Sequence, residues 1–214
     1  MQDYQHEFIE YALSQGVLQF GQFTLKSGRI SPYFFNSGLF NNGESLGELG
    51  NFYARTIMES GLEFDMLFGP AYKGIPLVCT VSIALSRLYG HASPYCFDRK
   101  EVKDHGEGGM TVGAPLQGRV IIIDDVISAG TSVNYCFELI RRSGATPIAA
   151  AIALDRQELG LSGRSSIEEI EQKLGISVLS IIKLEDMINY LKGKPDKMEC
   201  LDRINQYRDK YGIN

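Results

Sequence analysis

No two cysteines of this chain stand close enough to form a Cys-x-x-Cys pair. The four present, Cys79, Cys96, Cys136 and Cys200, are scattered. Three lie in apolar stretches, and all four read as reduced packing residues rather than metal ligands or disulfide partners. A long apolar run is missing too. The longest unbroken stretch of Val, Ile and Leu is Val120–Ile123, far short of the roughly 20 residues a membrane span needs. The opening Met1–Glu7 carries acids and has no apolar segment behind it, unlike a secretory leader. Positive charge is not in excess: 21 Lys and Arg face 26 Asp and Glu, for a net charge of -5. Nothing general therefore attracts nucleic acid or an anionic membrane, and any anionic ligand must be met by a local cluster of cations. Internal repeats, low-complexity tracts and clear linkers are absent as well. These absences imply a soluble protein of a reducing compartment, the cytoplasm.

The 214 residues, 44% of them hydrophobic, suit one domain over residues 1–214. About 1–60 would form an amino-terminal flap with helices and about 61–214 an α/β core. Asp3 is placed to cap a helix over Tyr4–Gln15, with Phe8, Ile9, Ala12 and Leu13 on one face and Gly16 as its stop. Phe20–Leu25 and Pro32–Asn36 read as extended segments around a Ser27-Gly28 turn, and Leu46–Ser60 as a helix. Then β and α alternate. Strands are expected at Asp65–Phe68, Pro94–Phe97, Val120–Ile123, Ile148–Leu154 and Val178–Ile182. Helices are expected at Pro76–Leu88, Thr131–Ser143, Ile167–Leu174, Leu184–Leu191 and Met198–Tyr211. Short apolar strands between helices indicate a mostly parallel central sheet flanked by helices on both faces. The polar stretch Glu101–Gly113 reads as one long irregular insertion, a mobile lid loop.

The most informative segment is Val120–Ser132, VIIIDDVISAGTS. An apolar strand ends in two acids, and a turn of small residues opens a helix. Ligands of open α/β sheets bind at the carboxyl ends of strands. Ala129 and Gly130 allow close backbone approach, the first turn of the helix favours an anion, and Ser128, Thr131 and Ser132 add hydroxyl donors. Asp124 and Asp125 would repel a bare phosphate. They suit sugar hydroxyls or a magnesium ion instead, so the pair and the cradle together imply a phosphorylated sugar. The competing reading is an acidic strand end followed by an ordinary capped helix. A P-loop is excluded, because no Gly-Lys-Ser/Thr follows the strand.

This segment resembles the signature with which type I phosphoribosyltransferases bind phosphoribosyl pyrophosphate (PRPP). The resemblance implies that fold, with Asp124 and Asp125 facing the ribose hydroxyls and Val126, Ile127, Ser128, Ala129, Gly130, Thr131 and Ser132 wrapping the 5-phosphate. Three further places narrow it. Lys26-Ser27-Gly28-Arg29 with Ser31–Asn36 is similar to the amino-terminal flap of orotate phosphoribosyltransferases, and the likeness to the enterobacterial type covers nearly the whole chain. It implies that Lys26 contacts ligand from above and that the backbone at Phe34 and Phe35 meets the orotate ring, although core packing explains those two side chains equally well. Gly69–Gly74 matches the loop that holds pyrophosphate, which assigns Tyr72 and Lys73; by itself the lysine could be a solvated turn residue. Arg99–Gly109 matches a lid that reaches the neighbouring subunit's site in a homodimer, with Arg99, Lys100, Lys103 and His105 gripping PRPP. By composition alone this charge run is a solvated face. Arg156, after the strand at Ile148–Leu154, matches the arginine that binds orotate's carboxylate, a planar partner suited to guanidinium. Ser128 stands where that family usually has threonine and keeps the hydroxyl.

The resemblance thus implies a transferase that joins PRPP to orotate with magnesium as cofactor. On that resemblance magnesium would be held mainly through PRPP, and Asp124 or Asp125 could add a ligand. Lys73, Lys103, Asp124 and Asp125 would do the catalytic work, electrostatically and without a covalent nucleophile. His6 and His91 have no partner pattern and read as surface residues. Two other readings compete: a purine phosphoribosyltransferase, and a non-catalytic PRPP-sensing regulator that binds nucleic acid. The flap, Arg156 and the lid lysines speak against the first, and the acidic charge against the second.

Overall fold

The computed structural model describes residues 1–25, 27–103, 109–127, 130–160 and 163–213, with the side chains of 100–103 and 109 outside the description. Helix α1 (Asp3–Ser14) leads into the hairpin β1 (Leu18–Thr24) and β2 (Ile30–Phe35), then α2 (Gly43–Glu59). The alternating part follows: β3 (Met66–Gly69), α3 (Gly74–Tyr89), β4 (Tyr95–Lys103), β5 (Gly109–Gly113), β6 (Arg119–Ile123), α4 (Thr131–Arg142), β7 (Thr146–Asp155), α5 (Ser166–Leu174) and β8 (Ser177–Lys183). Helices α6 (Leu184–Leu191) and α7 (Met198–Tyr211) close the chain.

Strands β3 to β8 form one six-stranded sheet in the order β5-β4-β3-β6-β7-β8. Every neighbour pair is parallel except β4 with β5. The apolar strands alternate between two buried clusters. Leu67, Ile121, Ile123, Ala149, Ala151 and Ala153 face α1, α2, α3, α6 and α7, while Phe68, Val120, Ile122, Ala150 and Ile152 face α4 and α5. Both faces are thus covered, which is why these strands read as continuous hydrophobic runs. Because α3 and α4 lie on opposite faces, the carboxyl ends of β3 and β6 flank a crevice where the winding reverses, and such crevices receive ligands.

Three sequence-based expectations need correction. Gln2, not Asp3, is the N-cap of α1, in a reciprocal box with Gln5; Asp3 is already helical, and its acid meets the first-turn dipole instead. The stretch Glu101–Gly113 is not one irregular insertion. Strand β4 runs on to Lys103 and pairs antiparallel with β5 through Phe97↔Val112, Asp98↔Thr111 and Lys103↔Gly109. The β-branched residues Thr111 and Val112 suit this return strand and lie opposite Asp98 and Phe97, which makes β5 the edge of the sheet. His91 is also no simple surface residue: half-buried, its ring stacks on Phe64 at 4.6 Å and its Nδ1 lies 2.6 Å from Ser93 Oγ. None of the described helices is long and apolar enough to cross a membrane. None of the four cysteines is in a disulfide.

Candidate active site

The ladder between β6 and β7 continues past the strand end and fixes both acids. Asp124 donates its N–H to Ala151, and the Asp125 carbonyl accepts from Ala153. Tyr53, fully buried on α2, donates its hydroxyl to the Asp124 carbonyl at 2.7 Å. Asp124 is buried, only 8% exposed. Burial, reinforced by the neighbouring Asp125, pushes its pKa up to about 6 against the pull of the Asp125 N–H and Ser132. Asp125 is more open. Its Oδ1 accepts the Val126 N–H, while Oδ2 receives the Ser37 hydroxyl at 2.7 Å and the Lys73 ammonium at 2.6 Å.

Between Asp125 and α4 the chain turns through Val126 and Ile127. Ile127 is buried against α4 and α5. Gly130, the N-cap of α4, has φ +67°, a left-handed conformation that glycine adopts without steric cost. Thr131 and Ser132 then open the helix and are exposed. The Gly130 carbonyl accepts both the N–H and the side-chain amide of Asn134. Ser128 and Ala129 lie outside the described residues.

Across the crevice, the loop after β3 closes tightly on itself. A Cβ at Gly69 would come within 2.2 Å of the Gly74 carbonyl oxygen, and one at Gly74 within 3.0 Å of the Ile123 carbonyl oxygen. Both glycines are therefore needed for the loop to pack against the end of β6. Buried Asp98 on β4 accepts the Ala71 N–H and holds the loop from the other side. Tyr72 is exposed, and Lys73 reaches over to Asp125.

Arg156 emerges after β7. Its guanidinium lies 4.3 Å over the Tyr33 ring, donates from Nη2 to Ser31 Oγ at 3.2 Å, and pairs with Glu158 at 2.7 Å. The hairpin alternation separates the two phenylalanines. Phe35 packs against the core near Phe8, whereas Phe34 stands on the other face, stacked on Phe23 at 5.4 Å. Core packing thus explains Phe35, while Phe34 remains 38% exposed.

The structure therefore brings Asp124, Asp125 and Lys73 together, with Val126, Ile127, Gly130, Thr131 and Ser132 leading from the acids into α4. Arg156 sits at the end of the next strand, against the β2 residues Ser31 and Tyr33. Arg99 lies on β4. Lys100 and Lys103 are on the same strand with side chains outside the described set, and Lys26 and His105 fall outside the described residues altogether. Sequence reasoning missed Ser37, Tyr53 and Asp98, which carry no motif of their own. Glu158 was visible in the Asp155–Glu158 segment without a reason to single it out. Among the described residues no three His, Cys, Asp or Glu side chains gather to hold a metal. The oxygen-only pair Asp124 and Asp125 fits a hard cation such as magnesium, which accepts one or two carboxylates and completes its shell with ligand oxygens and water.

A family profile described as "Phosphoribosyl transferase domain" matches residues 38–170. Over 213 residues the chain is 54% identical to the orotate phosphoribosyltransferase of Yersinia enterocolitica, covering 100% of both chains. This chain belongs to the orotate phosphoribosyltransferase family. The crystal structure of the Francisella tularensis orotate phosphoribosyltransferase agrees: 44% identity, TM-score 0.88, with 97% of this chain and 100% of that one covered. The adenine phosphoribosyltransferase of Saccharomyces cerevisiae, at 20% identity and TM-score 0.56 over 81% of this chain and 99% of that one, shows the shared fold alone. Among phosphoribosyltransferases, then, full-length kinship lies with the orotate enzymes.

Proposed function

We propose that this member of the orotate phosphoribosyltransferase family transfers the 5-phosphoribosyl group of PRPP to orotate, giving orotidine 5-phosphate and pyrophosphate for pyrimidine (UMP) synthesis. The observation that carries this reading is the meeting of Lys73 with Asp125 across the crevice, at the mouth of the loop into α4. A cation and a carboxylate that neutralise each other there are well placed to part around a ligand with opposite needs. Lys73 would turn to the departing pyrophosphate, and Asp125 with Ser37 to the ribose hydroxyls. The loop Val126–Ser132 takes the 5-phosphate. Asp124 and Asp125 face a ribose that becomes electron-poor as the bond to pyrophosphate stretches, so electrostatic stabilisation supplies the larger part of catalysis. Arg156 receives the orotate carboxylate, and Ser128 together with the flap at Lys26, Phe34 and Phe35 orients the ring. The lid residues Arg99, Lys100, Lys103 and His105 close over PRPP and exclude water. Asp124 or Asp125, together with PRPP oxygens, would hold a magnesium ion, which would supply neutralising charge to the departing pyrophosphate.

The protein acts in this reading as a cytoplasmic homodimer. Support comes from four cysteines that form no disulfide and from exposed Ile83 and Tyr95, which line one open groove between α3 and the start of β4. The deciding assay mixes protein, PRPP, magnesium and one base: orotate, uracil, hypoxanthine or adenine. Orotate alone should be consumed, followed by its ultraviolet absorbance and by pyrophosphate release. Turnover of a purine would favour the purine enzyme, and PRPP binding without any turnover a regulator.

A further inference from the structure

We infer that Glu158 is a positioning residue for orotate recognition, fixing the Arg156 guanidinium and tying it to the flap through Arg29 and to α7 through Tyr207. The inference rests on the reading of Arg156 as the partner of the orotate carboxylate. One carboxylate oxygen of Glu158 gathers three donors: Arg156 Nε and Nη2, each at 2.7 Å, and the Tyr207 hydroxyl at 2.9 Å. The other oxygen faces Arg29 Nη1 at 3.4 Å. Arg29 also reaches the Leu159 carbonyl and lies 4.9 Å over the Tyr211 ring. With Ser31 on Nη2 and Tyr33 beneath the plane, the guanidinium is held along one edge and one face. These contacts use Nε and Nη2, and the Nη1 side is the one the orotate carboxylate would take.

The backbone is bent to achieve this. Glu158 lies only two residues beyond Arg156, and the turn between them places Gln157 at φ +49°, a region that non-glycine residues seldom occupy. The turn is pinned on three sides: Gln157 N–H donates to the Asp155 carboxylate, its carbonyl accepts from Ile213, and its side-chain oxygen accepts from Glu185 N–H. Strain held in this way accompanies functional geometry. Arginine has many rotamers to lose on ordering, and the side chains of Arg156 and Glu158 are only 17% and 18% exposed, so one orientation is set before substrate arrives. Arg156 and Arg29 against Glu158 leave one net positive charge for one carboxylate.

Charge and positioning predict opposite signs. Removing the negative charge of Glu158 without losing Arg156's orientation should strengthen carboxylate binding. If Glu158 positions Arg156, Glu158→Gln should instead raise the KM for orotate on the order of tenfold or more, as misplacement of a contact group does, with the KM for PRPP unchanged. Tyr207→Phe should move orotate KM the same way by less. In an Arg156→Ala background, Glu158→Gln should add nothing, because the two act as one unit. An unchanged or lower orotate KM in both Glu158→Gln and Tyr207→Phe overturns the inference, as does an equal rise for both substrates or a further loss in the Arg156→Ala background. If Arg156→Ala itself leaves orotate KM unchanged, the underlying reading of Arg156 fails and the inference with it.

Discussion

Lys73, on the loop after β3, holds its ammonium 2.6 Å from the Asp125 carboxylate after β6. The lysine side chain is 60% exposed, so the pair contributes little to stability. Its value lies in joining the two strand ends that flank the crevice. Lys73→Ala should lower kcat on the order of a hundredfold, comparable to loss of one oxyanion donor, and leave the melting temperature nearly unchanged. A kcat close to that of the parent would remove Lys73 from the leaving-group role.

Asp124 shows what burial costs. Its pKa of about 6 exceeds the unfolded value, so the native state holds the proton more tightly between the two. Stability therefore falls as pH rises from about 4, where the unfolded carboxyl titrates, to about 6, and is flat above. Asp124→Asn should abolish that slope and raise stability at neutral pH by roughly 1–3 kcal/mol, several degrees in melting temperature. Turnover should fall at the same time, a trade of stability for function. In the parent protein kcat/KM should drop as pH falls through about 6. Destabilisation of the variant at pH 7 would contradict this account.

Tyr53→Phe tests how the acids are held. The change removes the hydrogen bond to the Asp124 carbonyl and leaves a buried acceptor without that donor, at about 1–3 kcal/mol. The melting temperature should fall, and kcat should fall more than either KM, because the displaced atoms lie at the strand end rather than on a substrate. A lowered melting temperature with full kcat would show that the strand end needs no such support.

The lid reading is tested by mixing. Lys103→Ala should turn over sharply more slowly than the parent. If the lid serves the partner's site, mixed dimers of Lys103→Ala with Arg156→Ala should regain activity, because one of the two sites then carries both residues. Verified mixed dimers without recovery would place the lid in cis.

Magnesium should matter for activity and not for folding. Chelation should abolish turnover, and added magnesium should restore it. The melting temperature without PRPP should stay constant, since the described side chains offer no three-ligand metal cluster. A melting temperature that falls on chelation would point to a structural ion.

Much of this architecture is written locally. The apolar runs Val120–Ile123 and Ile148–Leu154 specify buried strands, and Gly130 with Thr131 and Ser132 marks where a strand turns into a helix. The two acids, the cradle and Arg156 are therefore legible, because their positions follow from strand ends a few residues away. The N-cap of α1 and the β4–β5 hairpin are less so. Gln2 competes with Asp3 as a cap on nearly equal local terms, and the charged residues between Phe97 and Met110 mask a pairing decided by an edge of the sheet.

The strand–helix alternation, the small-residue turn between β6 and α4 and the charged residues around it could be read from the chain, since each depends on near neighbours in sequence. The folded chain alone sets Lys73 against Asp125, braces the two loops with Tyr53 and Asp98, and brings Tyr207 and Arg29 onto Glu158. Most of those partners lie between 27 and 129 residues apart in the chain. They are brought together by sheet order and helix packing, which no short-range pattern of residues encodes.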